Sequence, residues 1–184
     1  MKLSYEIIVT DKNGKVIHRE KRVSRSWLEN YNHLMFGAFN SSNVTVTDRD
    51  GLPVEVPGPG YYTFWCKGGA GVDYQGIVIG TDNTAVTISD YKLGAQIAHG
   101  VGAGQIQHLA TVIPSPTVDA TSSSYTLTRS FINQSGSSIT VREIGLYGRA
   151  GAIYIGYVRD VLGTEKVIPD GGAIAVIYTV KAVA

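Results

Sequence analysis

Residues 125–147 read YTLTRSFINQSGSSITVREIGLY, in which two β-rich runs flank a polar segment. Side chains of a strand alternate between its two faces. In the first run one face is therefore apolar apart from a single arginine and consists of Tyr125, Leu127, Arg129 and Phe131. The intervening NQSGSS is rich in turn-forming residues. The stretch predicts a β-hairpin with strands at residues 125–132 and 139–147.

The second run changes its apolar face part of the way along. Ile139 and Val141 share a face with Glu143, whereas Ile144 lies on the opposite face. This pattern predicts either a bulge near Glu143 or a strand that is covered on both sides. In the predicted hairpin Arg129 stands opposite Glu143, and two charges inside a sheet are tolerated when each satisfies the other. We interpret them as a structural ion pair that sets the strand register, in preference to a catalytic carboxylate.

Composition favours a mainly β fold. The 184 residues include 22 glycines and 11 tyrosines with only 17% charged residues, which suits short strands joined by tight turns. The length allows one well-buried core. We therefore predict a single β-sandwich domain over residues 1–184, with one N-terminal-region α-helix. Jelly-roll and immunoglobulin-like strand orders both fit this pattern and stay open. A net charge of +1 is not that of a nucleic-acid binder.

The N-terminal region predicts a hairpin at residues 3–23, because Asn-Gly at 13–14 separates two strand-like runs. Its second arm is highly charged, as edge strands are when they resist unwanted pairing or are reserved for a partner chain. The arm supplies four candidate interface residues, which are His18, Arg19, Lys21 and Arg22.

A helix is predicted at residues 26–39, since Ser26-Trp27-Leu28-Glu29 fits a capping box. The apolar residues that follow lie at helical spacing, and Trp27, Phe36 and Phe39 would fit a partner-binding face. We expect the stripe instead to pack on the core and the helix to close an open end of the β body. Together the hairpin 3–23 and the helix form an N-terminal elaboration of the sandwich.

The segment after the helix supplies further candidates. Pro57 belongs to a proline-rich loop at residues 53–60, and an aromatic run follows it with Tyr61, Tyr62 and Trp65. The aromatic run fits a core strand, and it also fits an exposed platform on which a sugar ring stacks. We include all four residues among the candidate interface positions.

The residue types of an active site are present without the spacing that such a site requires. Cys66 is the only cysteine, and His99 and His108 have no carboxylate or cysteine at ligand spacing, so they are predicted to be ordinary polar positions. The Asp-x-Asp-Gly at residues 48–51 lacks the other ligands of a calcium loop and predicts a turn. We therefore predict no catalytic residue, no metal, no cofactor and no enzymatic activity. No stretch reaches the length of a membrane span.

Several segments together resemble a known class of proteins. They are GIVIGTD at residues 76–82, DYKL at 90–93, FIN at 131–133, VREIGLY at 141–147, RDV at 159–161 and a closing strand at 174–180, with the N-terminal hairpin and helix as weaker support. This order resembles uncharacterised structural proteins of tailed bacteriophages, including tail-fibre, tail-collar and other virion β-proteins, over about residues 76–180.

The resemblance implies a non-enzymatic virion protein of the tail, baseplate, fibre region or capsid surface, where it would be a decoration protein. Its expected partners are copies of itself and other virion proteins, and neither nucleic acid nor a membrane. It would be located in the virion after assembly in the host cytoplasm. The alternative is a carbohydrate- or receptor-binding β-sandwich module, with a host surface glycan as the ligand.

Overall fold

A computed structural model describes residues 1–57 and 64–184. The chain is mainly β, with antiparallel sheets that pack together and one helix, which confirms the predicted β-sandwich fold class. Its elements are β1 (Lys2–Thr10), β2 (Val16–Ser24), α1 (Glu29–Asn40), β3 (Val44–Thr47), β4 (Pro53–Val56), β5 (Gly76–Gly80), β6 (Gln107–His108), β7 (Thr117–Val118), β8 (Ser122–Ile132), β9 (Ile139–Ala150), β10 (Ile153–Ile168) and β11 (Ala173–Val183).

The larger sheet has the strand order β2-β1-β11-β8-β6, and β7 also pairs with β8. A smaller sheet has the order β10-β9-β5, and β3 pairs with β4 alone. The apolar C-terminal strand β11 lies inside the larger sheet, as its composition predicts. Alternate residues of this strand, from Ile174 to Val180, point into one core shared with β9 and β10.

The predicted N-terminal hairpin is confirmed, because β1 and β2 pair in antiparallel register. Its turn is closed by a hydrogen bond from the Gly14 amide to the Asp11 carbonyl (3.0 Å), and Gly14 has a φ of +78°, which glycine adopts without strain. The hairpin was expected as an elaboration of the sandwich, yet β1 pairs with β11 along its whole length. It is therefore an integral part of the larger sheet, with β1 inside the sheet and β2 at its edge.

The hairpin predicted for residues 125–147 is wrong, although both of its strands exist. β8 pairs with β11, β6 and β7 in the larger sheet, whereas β9 pairs with β10 and β5 in the smaller one. The connection is a corner between sheets, and the buried Asn133 holds it. The Asn133 side-chain amide donates to the carbonyls of Ser137 (2.7 Å) and Ile168 (2.9 Å). The apolar faces of β8 and β9 thus enter the core from opposite sheets.

The change of apolar face along β9 has a clear structural cause. Residues 143–148 are all buried, because the core covers one side of β9 and a cluster containing Val78, Leu93 and Tyr147 covers the other. This confirms the prediction of a strand covered on both sides. The pairing also shifts beside Glu143, since Val161 pairs with Glu143 and Lys166 with Val141, which places the irregularity on β10.

The helix begins later than the capping box predicts. Its N-cap is Leu28, and no side chain caps it. Residues before the helix instead run along β10, where the Leu28 amide donates to the Tyr157 carbonyl (2.9 Å) and Trp27 forms a bridge with Val158. α1 buries Leu34, as expected, and packs on β3 and β10. Phe36 and Phe39, expected in the core, are 62% and 84% exposed.

Candidate interaction surfaces

The four charged candidates from the sequence lie on β2, at an edge of the larger sheet. Most of their charges are used within the chain. Arg19 Nε lies 2.5 Å from a Glu6 carboxylate oxygen, and both His18 and Arg22 contact Glu20. Among the described residues, Lys21 has no ion pair. The strand thus presents a rim of paired charges with one unpaired lysine.

The edge of β2 is built to discourage the addition of another strand. Val9 pairs with His18 and Thr10 with Val16, so Ile17 is an extra residue that forms a bulge. Bulges and inward-pointing charges are two ways in which natural proteins protect sheet edges. Inward charge is present as well, because Glu20 forms an ion pair with the buried Lys166 of β10. The edge of β2 is therefore better suited to side-chain contacts than to strand pairing.

Buried polar residues continue beneath β2 toward β11. The Asp160 carboxylate accepts hydrogen bonds from Ser24 Oγ (2.9 Å) and Tyr178 Oη (3.0 Å). Burial raises the pKa of Asp160 above its ordinary value. These hydroxyl donors supply hydrogen bonds where a cation would otherwise be needed. The hydrogen bonds of Asp160 with Ser24 and Tyr178 therefore join the two sheets.

The side of the larger sheet that points away from the core is here called the outer face, and it carries few charges over its central strands. Its uncharged residues are half-buried, and they include Ile8 and Thr10 on β1, Ala173, Ala175, Ile177 and Thr179 on β11, and Thr126, Thr128, Ser130 and Ile132 on β8. Leu109 and Val112 lie beside β8 and extend this face, with 40% and 59% of their surfaces exposed. The face also carries Glu6, which lies opposite Ile177 and forms an ion pair with Arg19, and Lys181 near the end of β11.

The outer face is large enough for a subunit contact. Strands about 4.8 Å apart, with about eight residues at about 3.4 Å each, give about 500 Å² for three strands and the segment beside them. Two copies packed face to face would bury about 1,000 Å² in total, which is the lower bound for a specific interface. A face of this size, with isoleucine, leucine and valine among its threonines, is a candidate interaction site.

Two of the four remaining interface candidates, Pro57 and Trp65, are among the described residues. Tyr61 and Tyr62 fall outside the described residues. Pro57 is exposed just after β4, and Trp65 is 48% exposed. The guanidinium of Arg149 lies 4.6 Å from the centre of the Trp65 ring, so part of this ring is already covered by a cation of its own chain. The stacking platform stays a prediction.

The predicted ion pair between Arg129 and Glu143 is wrong, because β8 and β9 belong to different sheets. The Arg129 side chain is fully buried and donates to five backbone carbonyls, none of which belongs to Glu143. The acceptors are Leu109 (2.6 Å), Gln75 (3.0 Å), Ile77 (2.8 Å), Gly69 (2.9 Å) and Val72 (2.6 Å). Burial lowers the pKa of Arg129 to about 10, so the group stays cationic at neutral pH.

Glu143 belongs instead to a second network, which is centred on Arg159 of β10. Arg159 donates to Glu143 (2.8 Å), Asp90 (2.8 Å) and Asp82 (2.7 Å). Glu143 is fully buried and also accepts from the backbone amides of residues 94 (3.0 Å) and 95 (2.8 Å). Sequence reasoning missed Arg159; the available signal was an Arg-Asp pair within the β-rich run at residues 153–162. The network fastens the long segment between β5 and β6 to the smaller sheet.

His108 is not the ordinary polar position predicted. Its ring is buried with its centre 4.9 Å from that of Phe131, and its amide donates to Nδ1 of His99 (3.1 Å). Burial lowers the pKa of His108 to about 4 and raises that of the buried Cys66 thiol to about 12, so both are neutral at pH 7.

The predicted turn at residues 48–51 is confirmed by hydrogen bonds to Asp48 Oδ1. Among the described residues no three His, Cys, Asp or Glu side chains form a group that could hold a metal.

No helix within residues 1–57 and 64–184 has the length and hydropathy of a membrane span. Comparison of the chain with protein-family models, curated proteins and solved structures finds no match.

Proposed function

We propose that the chain is a non-enzymatic bacteriophage virion structural protein that self-associates and docks to other virion proteins. Its place would be the tail, baseplate or fibre region, or the capsid surface. The observation that carries the self-association is the outer face of the larger sheet, on which most of the residues are uncharged. The virion context rests on the resemblance of residues 76–180 to phage structural proteins. A carbohydrate- or receptor-binding module is the alternative.

Self-association through the outer face follows from its chemistry. Threonine, isoleucine and alanine make a flat surface on which a second sheet packs at about 10 Å, as in a sandwich. Two identical faces related by a two-fold axis are self-complementary, which is the commonest arrangement of homo-oligomers. Lys181, near the end of β11, would stay in solvent because the rim of an interface is polar, and Glu6 would keep its ion pair with Arg19. This contact requires no strand pairing at the protected edge of β2.

A second surface supports docking to a different protein. Phe36 and Phe39 lie three positions apart on α1, so they share one side of the helix, and both are mostly exposed. The helix packs on β3 and β10, on the side of the smaller sheet. Large aromatic residues are enriched at the centres of protein interfaces. One copy could therefore contact its own kind through the outer face and another virion protein through α1.

The test is the mass of the protein in solution, measured by light scattering after size exclusion at several concentrations. We expect wild type to be a dimer or larger oligomer and Ala175→Lys to be a monomer, because Ala175 lies between the uncharged Ile8 and Ser130 and the lysine charge would be buried in the contact. Val23→Lys is the matched control, since Val23 is exposed on the edge strand β2. Thr128→Lys repeats the test on β8, and circular dichroism verifies that each variant is folded.

A monomeric wild type at every concentration would contradict self-association. So would an oligomer that survives both lysine variants on the outer face. Loss of association in the Val23→Lys control would place the contact at β2 instead.

A further inference from the structure

A polar cleft of about 310 Å³ lies on the smaller sheet's side of the molecule, away from the outer face. Its walls are the turn at residues 48–51, Asp73 and the segment 92–98, and the hydroxyl-bearing Tyr147 of β9 lies at its base. Ligand pockets in proteins start at about 300 Å³. The cleft therefore has room for one small ligand or for one unit of a larger one.

The walls of the cleft are held in place by hydrogen bonds. The Arg49 amide donates to the Tyr154 carbonyl (3.0 Å), which fastens the turn to β10. On the other wall the Leu93 amide donates to the Tyr147 hydroxyl (2.6 Å), and the next two amides bind Glu143. A site held in this way loses little conformational freedom when a ligand binds.

The cleft displays charges of both signs that the chain does not neutralise. Within the described residues, Arg49, Lys92, Asp50 and Asp73 form no ion pair. The two cations lie near tyrosine rings instead. The Arg49 guanidinium is 5.7 Å from the centre of the Tyr74 ring, and the Lys92 ammonium is 5.3 Å from that of Tyr91. Carboxylates that accept and cations that donate thus face the same small volume.

This combination selects a class of ligand. Ionised carboxylates only accept hydrogen bonds and ammonium or guanidinium groups only donate them, so a ligand that satisfies both must be able to donate and to accept. Hydroxyl groups do so, and the charges of the cleft sum to zero, which disfavours a polyanion. We propose that this cleft binds one monosaccharide unit of a glycan.

The proposal is independent of the virion assignment, and it lies elsewhere than the aromatic run predicted from the sequence. The experiment is a titration of the ¹⁵N-labelled protein with methyl glycosides of glucose, galactose, mannose, N-acetylglucosamine and glucuronic acid, followed by amide chemical shifts. We expect at least one glycoside to shift amides of residues 49–51 and 92–98. Binding of the glucuronide alone would assign the site to acidic sugars.

Two variants probe the contacts. Asp50→Asn and Lys92→Met should each weaken binding about tenfold or more, because each removes a charged hydrogen-bonding group. Lys21→Met is the matched control, since it removes an unpaired lysine on β2, and it should leave the affinity unchanged. Spectra of the free variants that overlay the wild-type spectrum outside the cleft show that the fold is kept. Absence of shifts with all five glycosides at tens of millimolar, or shifts that persist in both variants, would overturn the proposal.

Discussion

Replacing Arg129 with methionine should destabilise the fold more than any surface change, because five backbone carbonyls depend on this one side chain. The acceptors come from the loop at residues 69–72, from the start of β5 and from the segment beside β8. A methionine side chain fills much of the same volume and donates no hydrogen bond. The carbonyls would lose their partners in a site from which water is largely excluded.

The magnitude follows from two opposing contributions. Hydrogen bonds from a charged donor contribute about 1.5–3 kcal/mol each, so five give at most about 7–15 kcal/mol. Desolvation of the guanidinium opposes this by several kcal/mol. We expect Arg129→Met to lower the free energy of unfolding by about 3–5 kcal/mol, a large part of the about 5–15 kcal/mol of a typical domain. Arg129→Lys should fall between, because an ammonium can donate to at most three of the five carbonyls.

Urea denaturation at pH 7, followed by circular dichroism, measures these differences. Arg142→Met is the control, since Arg142 forms an exposed ion pair with Glu165, and such pairs contribute about 0–1 kcal/mol. If Arg129→Met unfolds within about 1 kcal/mol of wild type, or if Arg142→Met costs as much, the carbonyl network does not stabilise the fold as argued.

Three further predictions concern other buried positions. Acidification from pH 6.5 to 4 should lower the free energy of unfolding by about 2–3 kcal/mol through His108, because its pKa of about 4 in the folded chain lies below the unfolded value of 6.5 and the unfolded chain is protonated first. Urea titrations of wild type and His108→Phe at both pH values check this. Equal pH dependence of the two proteins would refute it. Glu143→Gln should lower the free energy of unfolding by about 2–4 kcal/mol and speed hydrogen exchange of the two amides that it binds, as NMR would detect. Gly148→Ala should lower the thermal midpoint, since its new methyl group would overlap the Tyr157 ring at a cost of about 1–3 kcal/mol, whereas Gly69→Ala meets only a methyl group at 3.7 Å and should not.

The stretch at residues 125–147 shows where sequence reasoning succeeds and where it stops. Its alternation identified both strands and the apolar face of each, because side-chain direction is a local property of an extended backbone. Pairing is not local. A polar segment between two strands serves a hairpin and a corner between sheets equally well, and the buried side chain of Asn133 selects the corner through a bond to the distant Ile168.

The buried charges show the same limit. The sequence identifies Arg129 and Glu143 as charged residues inside strands that need partners. It pairs them with each other because it does not show that β8 and β9 lie in different sheets. Arg159 collects carboxylates from positions 82, 90 and 143, whose separation along the chain leaves no pattern in the sequence. One wall of the cleft, the segment with Lys92, depends in turn on this network, and the other depends on the bond from the Arg49 amide to the Tyr154 carbonyl.

The sequence alone therefore determined the mainly β composition, the N-terminal hairpin, the internal C-terminal strand and the covering of β9 on both sides. Each depends on turn chemistry or on the period of apolar residues, which neighbouring positions encode. Tertiary structure alone decided which strands pair, which carbonyls and carboxylates receive the two buried arginines, and which surfaces remain uncharged or hold a cleft. These depend on contacts between segments far apart in the chain, and such contacts exist only once the sheets have packed.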